Sequence, residues 1–317
     1  TADSDFCLCN RPGCDSYGSM ANDDGHLLLD KEQRNALIAA EPATAPYIRR
    51  YMGAQEFLNN AERWCLWLKD ISPSLMRSSN ELRHRIEAVR KFRASSNREA
   101  TRNLAATPSL FGEDRQPLKS YLLLPKVSSE NRPYMPIGFM PSEVIANGSA
   151  LTISDSGHYE MGVLQSKMHM AWMRAVAGRM KSDYQYSAQI VYNNFPWPDL
   201  PEKLEPNQPQ TPAHKAQTAI EKAAQAVLDA RAQFPGSSLA DLYDPLTMPP
   251  ALLKAHQKLD AAVDAAYALV GGKKTWKNDA ERVAFLFERY QHLTSLLPAV
   301  KGKGKEKTKG KAGRKQA

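Results

Sequence analysis

The sequence has little that would place it in a membrane or outside the cell. No run of 18 or more apolar residues occurs among its 317 residues, so no transmembrane helix is expected. The first ten residues, TADSDFCLCN, do not combine a basic segment with an apolar one, as a secretory signal peptide does. We therefore expect a cytoplasmic protein that does not contact a membrane.

Cysteine is also scarce, and the four cysteines lack the spacing of a metal site. Zinc sites usually contain paired C-x2-C steps or additional histidines. Cys7, Cys9 and Cys14 are separated by one and by four residues, and Cys65 is far from them in the chain. We expect no bound metal, three free thiols in the N-terminal stretch, and a buried thiol in a strand at Cys65.

Motifs for catalysis are absent as well. The sequence contains no Walker loop and no H-E-x-x-H segment. The segment PDLPEK resembles a nuclease motif only superficially, because Glu202 directly precedes Lys203. A methyltransferase acting on base amino groups needs a glycine-rich cofactor loop and a [DNS]-P-P-[YFW] loop, whereas the prolines of NNFPWP are not adjacent. We therefore expect no catalytic residues and no cofactor in this chain.

The net charge of +8 is concentrated at one end of the chain. Residues 301–317 contain seven lysines, one arginine and one glutamate, with no apolar residue beyond two alanines. A segment of this composition cannot bury enough apolar surface to fold, so 299–317 is predicted to be a disordered basic tail. Two roles stay open for it, nonspecific attraction to phosphates and simple solubilisation.

The remaining sequence predicts an α+β unit followed by a small all-α unit. Alternating or continuous apolar segments favour strands in RWCLWLKDI, KSYLLLPKV, RPYMPIGFM, ALTISDS and YSAQIVYNN. Helices are predicted after a capping box of Asp30 and Gln33, in PYIRRYMGAQEFLNN, and over HYEMGVLQSKMHMAWMRAVAGRM with Gly178 as C-terminal cap. Prolines mark a linker over 200–212. Three further helices are predicted at 213–233, 249–270 and 279–297.

The segment 77–102 is the most basic part of the folded body. Leu82, Ile86 and Val89 recur at steps of three to four residues, which predicts an amphipathic helix with a basic outer face. Such a face is often only solvated, but the local excess of positive charge favours contact with phosphates. The candidates for this contact are Arg83, Arg90 and Arg93.

Several segments, taken in order, resemble the C-terminal part of the MmeI-like, type IIL family of restriction–modification enzymes. They are DDGHLLLD, YIRRYMGAQEFL, RWCLWL, KVSSENRPYMPIGF, GVLQSKMHMAWMRAVAGRMKSDYQYS and IVYNNFPWP, followed by SLADLYDPLTMPPALLKAHQKLDAAVDAAY and DAERVAFLFERYQ. The resemblance implies a DNA target-recognition domain over 19–199 and a helical C-terminal domain over 213–298. Residues 1–18 would then be an irregular remnant of the join to a missing upstream domain.

Members of this family join a nuclease, a helical connector, an adenine-N6 methyltransferase, a target-recognition domain and a C-terminal helical domain in one polypeptide. The resemblance therefore implies two partners for this chain, double-stranded DNA and an upstream methyltransferase domain in cis or in trans. S-adenosyl-L-methionine is implied as the cofactor of the parent enzyme, not of this chain. Two alternatives stay open: a stand-alone or remnant DNA-binding protein that does not methylate, and a protein-interaction module that does not bind DNA.

The resemblance also implies where the DNA sequence is read, chiefly just after the long helix. The candidate base-reading residues are Lys181, Asp183 and Gln185 and, less directly, Lys126, Asn147 and Ser149. Two residues at i and i+2 of an extended segment project to the same side, so Lys181 and Asp183 are expected to reach one base pair. Lysine would donate to a guanine and aspartate would accept from its cytosine partner. A surface salt bridge between the two side chains is the alternative.

Overall fold

The computed structural model describes residues 14–198, 200 and 211–295. As predicted, its first part mixes helices and strands, and the part from residue 211 is helical. The strands are β1 (Cys14–Tyr17), β2 (Leu28–Leu29), β3 (Ile48–Met52), β4 (Trp64–Leu66), β5 (Tyr121–Pro125), β6 (Val127–Ser128), β7 (Gly138–Met140), β8 (Ile145–Ala146), β9 (Ala150–Ser154), β10 (Gly178–Met180) and β11 (Asp183–Gln185). The α-helices are α1 (Lys31–Ala40), α2 (Ala54–Asn59), α3 (Pro73–Ser78), α4 (Asn80–Ala94), α5 (Glu99–Asn103), α6 (His158–Leu164), α7 (Lys167–Val176), α8 (Pro212–Ala232), α9 (Leu239–Leu242), α10 (Pro250–Ala268) and α11 (Asp279–Thr294).

The strands of the described part of the α/β unit form three small sheets. One is antiparallel with the order β1-β9-β5-β7, and a second has the order β2-β4-β3-β8, in which β3 and β8 are parallel. The third is antiparallel with the order β10-β11-β6. The first sheet corrects the expectation of an irregular start, because Cys14–Tyr17 is a strand that pairs with β9.

Apolar strands and capped helices form where their local chemistry predicts them. β4 and β5 are buried along their whole length, as expected for continuous apolar runs. Cys65 is fully buried in β4, and burial raises the pKa of its thiol, so the predicted buried thiol is confirmed. At α1 the capping box is present: Gln33 N donates to Asp30 Oδ1 at 2.8 Å, and Asp30 N donates to Gln33 Oε1 at 3.1 Å.

Two segments adopt a different structure from the one predicted. PYIRRYMGAQEFLNN is not one helical piece, because it contains β3 before α2. YSAQIVYNN is not a strand, because residues 188–192 form a single π-helical turn in which Ser187 Oγ accepts from Ile190 N at 3.3 Å. Its β-branched and aromatic residues favour a strand locally, but Val191 and Tyr192 are instead buried in the core from a helical turn.

The long helix predicted from residue 158 is also interrupted. α6 ends at Leu164 and α7 begins after Ser166, whose hydroxyl accepts from His169 N at 3.4 Å as an N-cap. Gly178 is not the C-terminal cap, because it is the first residue of β10 and the cap is Ala177. The candidate residues after α7 therefore follow a strand that begins at once.

The α/β unit and the helical unit share one continuous hydrophobic core. α8 packs closely on α6 at Gly162, where an added Cβ would lie 2.8 Å from Ile220 and 3.2 Å from Ala224. α11 packs on α7, where the Trp172 and Phe287 ring centroids are 5.2 Å apart. The helical unit therefore supports the α/β unit directly. Within the described ranges no helix is long and apolar enough to cross a membrane.

Some predictions concern residues beyond this description. The tail at 299–317, most of the linker at 200–212, and both Cys7 and Cys9 lie outside the described residues. In the described part of the chain, no group of three or more His, Cys, Asp or Glu side chains is arranged to hold a metal ion.

Candidate nucleic-acid interface

A short β-hairpin follows α7 and carries the main candidate residues. β10 and β11 pair antiparallel with Met180 opposite Asp183 and Gly178 opposite Gln185. The side chains of a strand alternate between its two faces. Asp183 and Gln185 are partly exposed on one face, whereas Tyr184 and Tyr186 are buried on the other. The hairpin therefore exposes polar side chains on one face and buries two tyrosine rings on the other.

The geometry predicted for Lys181 and Asp183 is wrong, although both side chains reach the surface. They do not follow one another along an extended segment, because Lys181 and Ser182 form the two-residue turn of the hairpin. Lys181 has φ +57°, in the left-handed region, which costs a non-glycine residue roughly 1–2 kcal/mol. Residues two positions apart still have Cα atoms within about 7 Å, so both remain within reach of one partner.

The predicted alternative of a salt bridge between these two residues is not formed. Among the described residues, no ion pair within 4 Å joins Lys181 to Asp183. The negative charge of Asp183 acts instead on Arg132, which is partly buried. Burial lowers the pKa of Arg132, and the negative charge of Asp183 opposes that shift. The ammonium of Lys181 is therefore left exposed at the tip.

Lys126, another candidate base-reading residue, lies beside the hairpin. Its carbonyl accepts from Tyr186 N at 2.8 Å, and its own N–H donates to Ser149 O at 3.0 Å. The ammonium of Lys126 lies 4.3 Å from the ring centroid of Tyr17, a distance at which the cation is attracted to the ring. The backbone thus places Lys126 between the hairpin and the loop at 147–149.

Asn147 and Ser149 hold this loop in place. Asn147 is only 8% exposed, and its Oδ1 accepts from Ser149 N at 2.8 Å and from Ser149 Oγ at 2.6 Å. Ser149 Oγ in turn accepts from Ala54 N at 2.9 Å, at the start of α2. Gly53 is required beside them, because an added Cβ would lie 2.2 Å from the Asn147 amide. Both polar side chains are therefore engaged within the protein.

A buried histidine that the sequence reasoning missed supports the hairpin from below. Tyr186 OH lies 3.0 Å from His169 Nε2 on α7. His169 is completely buried, and burial lowers its pKa to about 3, so the ring is neutral near pH 7. The sequence shows only a histidine in a methionine-rich stripe, so its partner is visible in the structure alone.

The helical unit holds α7 at both of its ends. At the N-terminus, Asp260 of α10 accepts from Lys167 N and from Tyr134 OH, each at 2.7 Å. Near the C-terminus, Arg174 donates to Asp279 of α11 at 2.8 Å. Because α7 leads directly into β10, these contacts fix the start of the hairpin.

The sequence carries a signal for the buried contact of Asp260. His256, Asp260 and Asp264 recur every four residues on α10, and all three are buried. Polar residues at this spacing beside an apolar stripe indicate a buried polar contact with another element.

A second basic surface lies on α4. Arg83 and Arg90 are exposed on it, as predicted. Arg90 has only a 3.7 Å contact with Glu87, and Arg83 donates to Asn80 Oδ1 at 2.5 Å. The exposed ion pair of Arg90 with Glu87 contributes little to stability, and among the described residues Arg83 is bonded only to neutral oxygens, so both guanidinium groups can bind an anion instead.

The prediction that Arg93 contacts phosphates is wrong. Arg93 is fully buried, and its guanidinium donates to five backbone carbonyls at distances from 2.7 to 3.0 Å. The acceptors are the carbonyls of Ala21, Asn22, Leu104, Thr107 and Leu110. Burial lowers the pKa of Arg93, and the negative charge of Asp23 opposes that shift. Arg93 therefore joins α4 to two loops and leaves no donor for a ligand.

The fold and the surface together define a mixed α/β module with a polar hairpin, buttressed by a helical unit. The family model described as MmeI, target recognition domain, matches residues 12–199. A second model, MmeI, C-terminal domain, matches residues 212–298. The chain belongs to the MmeI family and comprises its target recognition and C-terminal domains, so the resemblance found in the sequence is confirmed.

Two relatives show how much of a longer protein this corresponds to. DNA methyltransferase A of Bacillus subtilis (strain 168) is 36% identical over 278 residues, which cover 88% of this chain and 30% of that protein. The solved structure of the type IIL restriction–modification enzyme MmeI in complex with DNA is 44% identical, with a TM-score of 0.83. That match covers 92% of this chain and 37% of the MmeI chain. The chain thus spans about a third of the length of each relative.

Proposed function

We propose that this chain is the sequence-specific DNA-recognition part of a type IIL restriction–modification methyltransferase that methylates adenine at N6. Its partners are double-stranded DNA and an upstream methyltransferase domain, in cis or in trans. The methyl donor S-adenosyl-L-methionine is bound by that domain. Family membership supports this function, as does the likeness to a relative whose structure contains DNA.

The hairpin tip is the observation that carries the proposal. A two-stranded β-ribbon fits the major groove of B-DNA, and base edges are read there by donors and acceptors. Lys181, Asp183 and Gln185 provide both kinds of group. The buried tyrosines of the hairpin and the contacts that hold α7 keep the tip of the hairpin in one position. A fixed position is required if the tip is to discriminate between DNA sequences.

The tip chemistry fits one G·C base pair. Guanine presents two acceptors in the major groove, and its cytosine partner presents an amino donor. Lys181 offers only donors, and an ionised Asp183 offers only acceptors. In the proposed complex Lys181 contacts the guanine and Asp183 the cytosine, with Gln185 and Lys126 reading neighbouring positions. Asn147 and Ser149 are not retained as readers, because their side chains are engaged in the loop.

The exposed arginines of α4 have a different task in this proposal. Arg83 and Arg90 contact phosphates, which contributes affinity and orientation but no sequence information. Arg93 is excluded from this role by its burial.

A hybrid enzyme tests the proposal. This chain is fused behind the methyltransferase domain of a family member whose motif differs, and methylated adenines are mapped by sequencing. The expected result is a new motif set by this chain. Methylation at the donor enzyme's original motif, by a folded hybrid, would overturn the proposal.

The isolated chain provides two further measurements. It is expected to bind duplex DNA with an affinity that falls as salt rises, because phosphate contacts release counterions. It is also expected not to transfer a labelled methyl group, since its sequence lacks the cofactor loop and the target-amino loop. The absence of salt-dependent DNA binding would favour the protein-interaction alternative instead.

A further inference from the structure

Arg179 lies beside the proposed reading residues but is engaged within the hairpin. Its Cζ is 3.8 Å from the ring centroid of Tyr184, its cross-strand neighbour. Its Nη1 donates to Ser182 O at 2.6 Å and lies 3.2 Å from Glu130 Oε2. One guanidinium therefore stacks on a ring, bonds the turn and pairs with a carboxylate.

These contacts span Lys181, the residue at the hairpin tip whose backbone conformation is strained. Lys181, at φ +57°, lies between Arg179 and Ser182 in the chain. A hydrogen bond from Arg179 to the Ser182 carbonyl therefore closes the turn around Lys181 and stabilises the backbone conformation that orients it. Strained residues of this kind persist only where their surroundings hold them.

We propose that Arg179 is a positioning residue for DNA recognition, which fixes the direction of the Lys181 side chain through the Ser182 carbonyl. Glu130, which lies just after β6 in the chain, orients the Arg179 guanidinium through its carboxylate. The inference rests on the proposed function, since that function makes Lys181 a base-reading residue. It adds a specificity determinant that does not itself contact a base.

Arg179→Lys separates this role from a direct phosphate contact. Lysine keeps the positive charge but lacks the planar guanidinium group. That group stacks on the Tyr184 ring and at the same time contacts the Ser182 carbonyl and the Glu130 carboxylate. If Arg179 is a positioning residue, Arg179→Lys is therefore expected to lose sequence discrimination just as Arg179→Ala does. A phosphate contact would largely survive in Arg179→Lys, whereas Arg179→Ala would lower the salt slope of binding by about one.

Arg63 is a matched control. It is 44% exposed, the same as Arg179, and it also lies over a tyrosine ring, at 5.8 Å from Tyr51, and near a carboxylate, at 3.7 Å from Glu56. It is far from the hairpin in the chain. Arg63→Lys is expected to leave sequence discrimination and the salt slope unchanged.

The experiment uses the hybrid methyltransferase and compares Lys181→Ala, Arg179→Lys, Arg179→Ala and Arg63→Lys. Methylation motifs are mapped, and binding is measured on duplexes that differ at one base pair over a range of salt. Lys181→Ala identifies the position that Lys181 reads. At that position both Arg179 variants are expected to lose roughly tenfold in discrimination, with the other positions and the salt slope preserved. Thermal melting of each variant confirms that it is folded.

The outcomes distinguish this inference from the proposed function. If Lys181→Ala relaxes no position, the proposed base-reading role of Lys181 fails. If Lys181→Ala relaxes a position and Arg179→Lys retains full discrimination there, only the positioning role is refuted. A lower salt slope in Arg179→Ala with a normal Arg179→Lys would assign Arg179 to a phosphate.

Discussion

The hairpin and the basic helix α4 each present charged residues that the sequence singles out, but the two surfaces are built differently. In the hairpin, strand alternation turns Tyr184 inward and leaves Asp183 and Gln185 partly exposed. In α4, the helical period turns Arg93 inward and leaves Arg83 and Arg90 exposed. A charged residue is therefore available to a ligand only if the periodicity of its own helix or strand places the side chain on the exposed face.

The two surfaces also differ in what supports them. The hairpin lies on the large core that includes both the α/β unit and the helical unit. α4 packs through Leu82, Ile86 and Val89 on a separate cluster. Substitutions that weaken the packing under one surface are therefore expected to leave the other surface intact. Effects on stability can thus be distinguished from effects on DNA recognition.

The largest expected effect comes from the buried arginine. Arg93→Ala leaves five buried carbonyls without their donor and is expected to lower the free energy of unfolding by about 3–5 kcal/mol. Arg90→Ala, three residues away on the exposed face, is expected to change it by no more than about 0.5 kcal/mol. Urea denaturation of both variants is the measurement. Equal losses in the two would contradict the assignment of Arg93 as structural.

An effect of intermediate size is expected in the pH dependence of stability, through the buried His169 that supports the hairpin. The folded-state pKa of His169 is about 3, below its ordinary value of 6.5, so its contribution to stability is present above pH 6.5 and is lost as pH falls toward 3. At pH 5 the loss is expected to reach about 2 kcal/mol. Because burial also lowers the pKa of His256, the loss due to His169 is measured by comparing the unchanged protein with a His169 variant in denaturation at pH 7.5 and pH 5.

His169→Gln is the control for this pH effect. Glutamine can still bond Tyr186 OH but does not titrate, so the variant is expected to lose less stability between pH 7.5 and pH 5 than the unchanged protein. The same loss in both proteins would show that His169 is not the group responsible.

The smallest expected effect concerns the exposed arginines. Arg83→Ala and Arg90→Ala are each expected to weaken DNA binding about equally on all sequences and to lower the salt slope by roughly one. Binding isotherms at several salt concentrations measure this. A loss confined to one DNA sequence would mean that these residues read bases or DNA shape instead of contacting phosphates.

Much of the fold follows from patterns in the sequence, and the misses have physical reasons. The capping box at Asp30 and the buried strand at Cys65 form as predicted because local chemistry alone decides them. The π-helical turn at 188–192 was missed because packing overrides strand propensity. The break before α7 was missed because the apolar period continues across Ser166, which caps the second helix.

The candidate site was predicted in its residues but not in its geometry. The turn at Lys181 and Ser182 lacks the Asn-Gly or Asp-Gly pair that signals a two-residue hairpin, so the sequence predicts an extended segment instead. Arg93 had a usable signal, because it continues the stripe of Leu82, Ile86 and Val89 by four residues. Contacts between distant segments, such as Asp260 with Lys167, depend on the tertiary structure.

Exchanging the two charges at the tip of the hairpin tests whether the tip reads a base pair. The hybrid methyltransferase is made with Lys181→Asp and Asp183→Lys together, and its methylated motif is mapped by sequencing. One G·C position is expected to change to the opposite orientation while the rest of the motif is kept, because each correct contact discriminates by about 1–3 kcal/mol. An unchanged motif with undiminished methylation would contradict it.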